Sequence, residues 1–195
     1  MILCINDHIA EMSEEQTERL LASLPEWRRA AALKFTHQQG RRECAAGYVE
    51  LLRALRLRFG IDGMPAFTYN EHGKPFLEDW PDIHFSISHC KAAVGCLVSR
   101  HPCGLDIEHI RRAKPELVRY TMSPEEAESI FAASCPDIAF TRLWTQKEAV
   151  LKLEGTGIDG NLHRVLDPDR LRRISLQTTV NPFAGYVLTT AVQNP

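Results

Sequence analysis

Apolar residues recur along the chain with two spacings, one typical of helices and one typical of strands. Over 38–59 they fall every three or four positions, which predicts a long helix, and Gly60 ends it. Over 84–88 apolar and polar residues alternate, which predicts a half-buried strand with a partner over 93–99. Further strands are predicted over 1–6, 65–69, 103–109, 171–180 and 185–192. This mixture of helices and strands indicates an α+β fold.

Three further helices are indicated by the residues at their ends. Ser13 is followed three positions later by Gln16, and Ser123 by Glu126, which is the spacing of a capping box. The third helix is predicted from about 137 to the glycine at position 155, where the left-handed backbone conformation open to glycine ends a helix. The two capping boxes thus predict from the local sequence alone where two of these helices begin.

The predicted strand over 103–109 carries two carboxylates on one face. Leu105 and Ile107 point to one side of the strand, and Asp106 and Glu108 to the other, because successive residues of a strand alternate. Taken alone, an Asp-x-Glu pair of this kind is more typical of an exposed polar face than of a site. A functional interpretation therefore needs a second group of residues.

The predicted helix after residue 137 supplies that second group. Its residues Trp144, Glu148 and Lys152 are spaced by four and share one face. If this face meets the strand, Asp106 and Glu108 join Glu148 and repel one another unless a cation lies among them. A hard divalent cation such as Mg²⁺, completed by water and substrate phosphates, is the natural occupant. The two segments together favour chemistry at phosphorus.

Composition narrows the function classes and the compartment. A net charge of −2 over 195 residues argues against a general nucleic-acid-binding protein. No apolar run approaches the roughly 18 residues of a membrane span, and residues 1–7 show no basic leader. We therefore expect a cytoplasmic protein without a membrane partner, whose six cysteines are reduced thiols.

With these motifs in place, the chain resembles the 4′-phosphopantetheinyl transferases, specifically the larger, single-chain type that activates surfactin-type synthetases. The resemblance rests on four segments in the family's order: 70–75, 85–89, 104–108 and 144–152. It implies a fold of two similar α/β halves related by a pseudo-two-fold, with coenzyme A in the cleft between them. On this basis residues 1–103 form the coenzyme A nucleotide side and 104–195 the metal and catalytic side of a monomeric enzyme.

The resemblance also implies the reaction and its central residues. The phosphopantetheine arm moves from coenzyme A to a serine hydroxyl of an apo acyl or peptidyl carrier protein, and adenosine 3′,5′-bisphosphate is released. Asp106, Glu108 and Glu148 are implied to hold Mg²⁺, with Mn²⁺ also open. Glu148 is a metal ligand, the base that takes the serine proton, or both. Lys152 is implied to contact the α-phosphate and to protonate the leaving group.

The remaining implied contacts are with the nucleotide and phosphates of coenzyme A. The Ser88–His89 pair is implied to bind the 3′-phosphate, together with a basic residue at Arg42, or at Arg41 if the local spacing shifts. Coenzyme A contacts are thus implied for Arg42, Lys74, Pro75, Ser88, His89, Lys147 and Lys152. Trp144 is interpreted as core packing. The basic stretch over 111–119, with the apolar residues Leu117, Val118 and Met122, is a candidate docking face for an acidic carrier protein.

Two alternatives from other classes stay open at this point. A metal-dependent phosphohydrolase or nuclease would use the same three carboxylates, although the four-residue spacing of Glu148 and Lys152 is unlike the usual nuclease pattern. A non-catalytic module would keep the surface that binds a carrier protein but would not catalyse a reaction. The intact set of Asp106, Glu108 and Glu148 with two lysines favours the transferase.

Overall fold

The computed structural model describes residues 1–157 and 161–195, and its first half is built on a three-stranded antiparallel sheet. In this sheet β5 (Val94–Ser99) lies between β1 (Ile2–Asn6) and β4 (His84–His89). Helix α3 (Gln38–Phe59) packs across it, and its buried residues include Tyr48, Leu51 and Leu55. The long apolar stripe predicted over 38–59 is therefore the face that covers the sheet.

Smaller elements complete the first half. Helices α1 (Glu14–Ala22) and α2 (Glu26–Leu33) pack against α3, and strands β2 (Phe67–Tyr69) and β3 (Pro75–Leu77) form a short antiparallel hairpin. The turn between these two strands is the 70–74 segment, which contains Asn70 and Gly73 and is followed by Pro75 at the start of β3. It projects toward the second half of the chain, where it contacts the end of a helix described below.

The second half repeats the same strand order. Here β8 (Tyr186–Gln193) lies between β6 (Cys103–His109) and β7 (Ile174–Asn181), again with antiparallel neighbours. Helix α6 (Pro136–Glu154) packs across β6 and β8. The remaining α-helices of the described residues in this half are α4 (Pro115–Thr121), α5 (Pro124–Ala132) and α7 (Pro168–Leu171), and Leu162–Arg164 form a short 3₁₀ helix.

Strand β4 of the first sheet and strand β6 of the second are joined by serine side chains. Ser86 Oγ accepts a hydrogen bond from the backbone N–H of Leu105 at 2.9 Å, and Ser88 Oγ accepts one from Ile107 at 3.1 Å. Each serine replaces a backbone carbonyl as the acceptor for a buried N–H group, which would otherwise be costly to leave unpaired. These bonds fix the register of the two halves.

Most local predictions are confirmed by the structure. Both capping boxes form, and Gly60 and Gly155 end α3 and α6 with φ of 68° and 72°. The strand predicted over 65–69 is shorter, because only 67–69 pairs with β3. Helices α4 and α7 and strand β3 are not among the elements that the sequence predicts. Among the described residues, none of the helices combines the length and apolarity needed to cross a bilayer.

Candidate active site

Helix α6 and strand β6 approach closely because position 104 is a glycine. A Cβ atom there would lie 1.9 Å from the carbonyl oxygen of Ala149 and 2.6 Å from the amide nitrogen of Leu153, both on α6. Such distances are far below van der Waals contact, so no other residue fits without moving the helix. This close approach brings the 104–108 and 144–152 segments together, as the sequence predicted.

Asp106 lies at the centre of the contact and is only 3% exposed. Its Oδ1 atom accepts hydrogen bonds from Lys152 Nζ at 2.7 Å and from Ser88 Oγ at 3.1 Å. Its Oδ2 atom is buried and has no hydrogen-bond partner among residues 1–157 and 161–195. A buried carboxylate oxygen without a partner is energetically costly, so this atom is suited to receive an external positive charge.

Glu108 faces the same side of β6 but is held by other groups. Its Oε1 atom accepts a hydrogen bond from Trp144 Nε1 at 3.0 Å, and its Oε2 atom forms an ion pair with Arg111. Trp144 thus orients a carboxylate in addition to packing in the core, which the sequence analysis missed. A Trp spaced by four residues from Glu148 was the available signal for this role.

Glu148 is half-buried on α6, and its carboxylate makes no hydrogen bond to any part of the chain that the structure describes. Burial raises the pKa of Glu148, and the nearby carboxylates of Asp106 and Glu108 raise it further, although Lys152 and Arg111 oppose them. This mutual repulsion indicates that the three carboxylates share one electrostatic environment. A raised pKa also suits a group that must accept a proton near neutral pH.

The fit of these residues to a divalent cation is therefore partial. No cluster of three or more His, Cys, Asp or Glu side chains within the described ranges is arranged to hold a metal ion. The reason is visible at Glu108, which is turned to Arg111, and at Asp106, whose Oδ1 is bound to Lys152. The free Oδ2 of Asp106 and the unbonded carboxylate of Glu148 nonetheless have the oxygen chemistry that hard cations prefer.

A pocket of about 280 Å³ opens directly beside these groups. One wall comes from the first half, through residues 72–75 of the turn and 85–87 of β4. The opposite wall comes from α6, through Glu148, Leu151 and Lys152. Both halves of the chain are therefore needed to form it.

Comparison with known proteins identifies the family to which the chain belongs. A family model described as the 4′-phosphopantetheinyl transferase superfamily matches residues 102–191, a range that contains Asp106, Glu108, Glu148 and Lys152. The chain belongs to the 4′-phosphopantetheinyl transferase superfamily.

Curated relatives extend the similarity into the first half. The 4′-phosphopantetheinyl transferase Sfp of Bacillus subtilis is 29% identical over 75% of this chain and 67% of its own length. The 4′-phosphopantetheinyl transferase HetI of Nostoc sp. is 32% identical over 76% of this chain and 66% of its own. Enterobactin synthase component D of Escherichia coli is 34% identical over 63% of this chain and 58% of its own.

Within this transferase-family site, the phosphate contact predicted for Lys147 is wrong. The Lys147 side chain is completely buried, and its ammonium donates to Glu126 Oε2 at 2.6 Å, to the carbonyl of Leu162 at 2.6 Å and to that of Thr121 at 3.1 Å. An ammonium has three N–H donors, so all of them are used inside the protein. Lys147 therefore points away from the pocket that Glu148 and Lys152 line.

The 3′-phosphate contact predicted for Ser88 has no support in the geometry of its hydroxyl. A hydroxyl has one proton to donate and two lone pairs to accept with. Ser88 Oγ donates to Asp106 Oδ1 at 3.1 Å, and it accepts from Ile107 N at 3.1 Å and Lys152 Nζ at 3.0 Å. Its bonding capacity is filled, and Ser88 instead links β4, β6 and α6.

Arg42 and His89 are also engaged by the protein itself. The Arg42 guanidinium donates to Thr17 Oγ1 at 3.2 Å and to the carbonyl of Ile9 at 3.1 Å, which ties α3 to α1 and the segment before it. His89 Nδ1 lies 3.2 Å from Glu43 Oε2. The alternative candidate Arg41 donates to the carbonyl of Phe35 at 2.9 Å. Neither arginine faces the pocket beside α6.

Lys74 and Pro75 line the pocket, as their predicted nucleotide contact requires. The Lys74 ammonium, however, donates to the carbonyl of Leu153 at 2.7 Å. Burial lowers the pKa of Lys74. The candidate carrier-docking face also needs correction, because Val118 and Met122 are buried in the core and Arg111 is paired with Glu108.

Proposed function

We propose that this protein transfers the 4′-phosphopantetheine group from coenzyme A to a serine hydroxyl of an apo acyl or peptidyl carrier protein, releasing adenosine 3′,5′-bisphosphate. The observation that carries the proposal is the buried carboxylate of Asp106, whose Oδ2 has no partner among the described residues and whose Oδ1 binds Lys152. Lys152 and Glu148 in turn line a pocket that both halves form. Family membership and the activity for which the relatives are named support the same reaction.

Lys152 and Glu148 have different roles at the reacting phosphorus. The Lys152 side chain is 33% exposed at the pocket wall, so its ammonium neutralises phosphate charge without leaving Asp106. Glu148 takes the proton of the carrier serine, and burial beside two carboxylates raises its pKa toward the range that suits a general base. The serine oxygen forms a new bond to the phosphorus that carries the pantetheine arm. The bond from this phosphorus to the bridging oxygen of the diphosphate breaks, and that oxygen leaves with adenosine 3′,5′-bisphosphate.

Asp106, Glu108 and Glu148 would hold the divalent cation, Mg²⁺ or Mn²⁺, that this chemistry calls for. When bound, the cation neutralises charge on the diphosphate of coenzyme A. The carboxylate oxygens of these three residues provide the donor type that such cations prefer. Because Glu108 is paired with Arg111, its participation requires that this pair opens.

The two halves, 1–103 and 104–195, are proposed to be related by a pseudo-two-fold. The support is that each half contains three antiparallel strands in the same order, with the last strand in the centre and the first strand on one edge. Each half also has one long helix across its sheet, α3 in one and α6 in the other. We further propose that the enzyme acts as a monomer, since one chain supplies both pocket walls.

The test is incubation of the protein with coenzyme A, MgCl₂ and a panel of apo carrier proteins, followed by intact-mass measurement. A mass gain on the carrier equal to one phosphopantetheine group, abolished by a chelator, supports the proposal. Release of free phosphopantetheine without carrier modification indicates a phosphohydrolase instead. Carrier binding with neither product indicates a non-catalytic module.

A further inference from the structure

The last turn of α6 is held by the turn between β2 and β3, which belongs to the other half of the chain. The final carbonyl groups of a helix lack partners within the helix. Here the carbonyl of Leu153 accepts a hydrogen bond from Lys74 Nζ at 2.7 Å, and the carbonyl of Gly155 accepts one from Asn70 Nδ2 at 3.0 Å. Both bonds cross from the first half to the second.

The turn is built so that Asn70 serves both sides of this contact. Its Oδ1 atom accepts hydrogen bonds from the backbone N–H groups of His72 at 3.0 Å and Lys74 at 2.8 Å, which folds the turn. Its Nδ2 atom is then free to reach the helix end. The φ of 81° at Gly73 completes the turn. The side-chain amide of Asn70 thus fixes the turn and the helix at once.

The packing at this contact is tight as well as polar. Gly155, with φ of 72°, is buried, and a Cβ atom there would lie 2.6 Å from Lys74 Cδ and 3.2 Å from Asn70 Nδ2. The glycine therefore ends the helix and also makes room for both side chains. Shape and hydrogen bonding agree on a single position for the end of α6.

That position matters because Lys152 lies within the same turn of helix. Its ammonium reaches Asp106 Oδ1 at 2.7 Å and Ser88 Oγ at 3.0 Å, and Glu148 precedes it by one turn. The pocket lies between the 72–75 turn and this part of α6. A shift of the helix end therefore moves Lys152 relative to the reacting phosphate.

We propose that Asn70 and Lys74 form a clamp across the two halves that positions Lys152 for the transfer reaction. This inference rests on the proposed function. It assigns to Lys74 a positioning role in place of a contact with coenzyme A phosphates, and it assigns a role to Asn70, whose side chain the sequence analysis left without one.

The two roles of Lys74 predict different kinetics. If Lys74 and Asn70 position α6, removal of either side chain lowers kcat, because a reacting group displaced by about 1 Å can cost up to about a hundredfold in rate. If Lys74 binds phosphate, its removal weakens the affinity for coenzyme A, and removal of Asn70 does not. The clamp also predicts that the double variant loses little more than either single variant, since both act on one helix end.

The experiment compares Asn70→Ala, Lys74→Met and the double variant in three measurements. These are kcat with an apo carrier, the Kd of coenzyme A by calorimetry, and amide hydrogen exchange in peptides that span 150–157. We expect kcat to fall by about ten- to a hundredfold, Kd to change by less than about threefold, and exchange to rise in all three variants. Asn70→Ser, which retains a short acceptor for the turn, is the substitute if Asn70→Ala does not fold.

Two controls separate positioning from general loss of stability. Glu71→Ala alters an exposed residue of the same turn and should leave exchange and kcat within about twofold of wild type. Leu24→Ala destabilises a core cluster of the first half that contains no residue of α6, and it should leave kcat intact at a temperature where the protein is folded. A fall in kcat for Leu24→Ala equal to that of the clamp variants would overturn the proposal.

Two other results would also overturn it. One is a raised Kd for Lys74→Met alone, which would make Lys74 a phosphate contact. The other is unchanged exchange over 150–157 in Asn70→Ala and Lys74→Met. Wild-type protein that modifies no carrier refutes the proposed function, and the exchange measurement then still decides whether the clamp exists.

Discussion

Lys147 on α6 and Glu126 on α5 form an ion pair of 2.6 Å in which the lysine side chain is entirely buried. The same carboxylate oxygen of Glu126 accepts the backbone N–H of Ser123 in the capping box at 2.8 Å. Burial lowers the pKa of Lys147, and the hydrogen bond and charge of Glu126 oppose that effect. The pair therefore joins the start of α5 to the helix that carries Glu148.

Lys147→Met should destabilise the fold rather than weaken ligand binding. The substitution leaves the carboxylate of Glu126 and two carbonyl groups without their partner, and the loss of one member of a buried pair costs about 3 kcal/mol. Urea unfolding should show this loss. Adding Glu126→Gln to Lys147→Met should lower the free energy of unfolding by less than the sum of the two single substitutions. A loss below about 1 kcal/mol, with a raised Kd for coenzyme A, would restore the phosphate contact.

The error over Lys147 shows what a motif can and cannot predict. Lys147 and Glu148 are neighbours in the sequence, and adjacent residues of a helix do not face the same way. The spacing by four placed Glu148 and Lys152 on one face correctly. Membership of a shared segment was not enough to place Lys147 there as well.

Local and long-range features differ in the same way. Both capping boxes and the glycine at the end of α3 depend on residues within four positions of each other, and the sequence predicted them. The filled hydroxyl of Ser88 depends on three partners from β6 and α6, and the contact of Asn70 with α6 spans 85 positions. No periodicity reports such contacts.

Gly104→Ala should prevent β6 and α6 from keeping their present distance. The added methyl group would overlap the backbone of Ala149 and Leu153, and backbone atoms cannot turn aside as a side chain does. We expect a loss of at least about 2 kcal/mol in the free energy of unfolding, together with a fall in kcat. The matched control is Gly63→Ala, where a Cβ would meet only Trp80 at 3.5 Å. Equal stability of the two variants would contradict the account of the strand–helix contact.

Glu148→Gln should separate chemistry from binding. The amide keeps the size of the side chain but takes no proton, so kcat should fall by about a hundredfold or more. The Kd of coenzyme A should stay within a few-fold, since Lys152 is unchanged and glutamine keeps the size of the side chain that lines the pocket wall. Single-turnover rates and calorimetry on the same preparation measure the two effects. Turnover near the wild-type value would remove Glu148 from the role of base.

His89 offers a test of the predicted 3′-phosphate contact, in which Glu43 acts as a competitor. Burial tends to raise the pKa of Glu43, but hydrogen bonds from His89 and Gln39 outweigh it, so the pKa is lowered and the carboxylate stays charged. A phosphate bound at His89 would be repelled by the negative charge of the Glu43 carboxylate. His89→Ala should raise the KM of coenzyme A more than that of its 3′-dephosphorylated analogue.

Glu43→Gln should act in the opposite direction. With the competing charge removed, we expect the KM of coenzyme A to fall by about two- to fivefold, with little change for the analogue. Equal effects of either substitution on both donors would show that the 3′-phosphate lies elsewhere.

Glu50 predicts a pH dependence of stability that is independent of the active site. It is 5% exposed on α3, and burial raises its pKa, although Arg53 at 3.5 Å opposes the shift. Between the unfolded pKa of about 4.3 and the higher folded pKa, the folded state binds more protons than the unfolded state. Stability therefore falls as pH rises through this window, and the loss is complete above the folded pKa.

Glu50→Gln removes this titration because the amide stays neutral at every pH. The stability difference between the variant and wild type should therefore favour the variant more at pH 7 than at pH 4. At pH 4 the wild-type carboxyl is also neutral, so the two side chains differ less. Urea unfolding of both proteins at a series of pH values measures the difference. A difference that is constant across the series would mean that Arg53 cancels the effect of burial on the pKa of Glu50. A difference larger at pH 4 than at pH 7 would mean that Arg53 outweighs burial and that the folded structure favours the charged form.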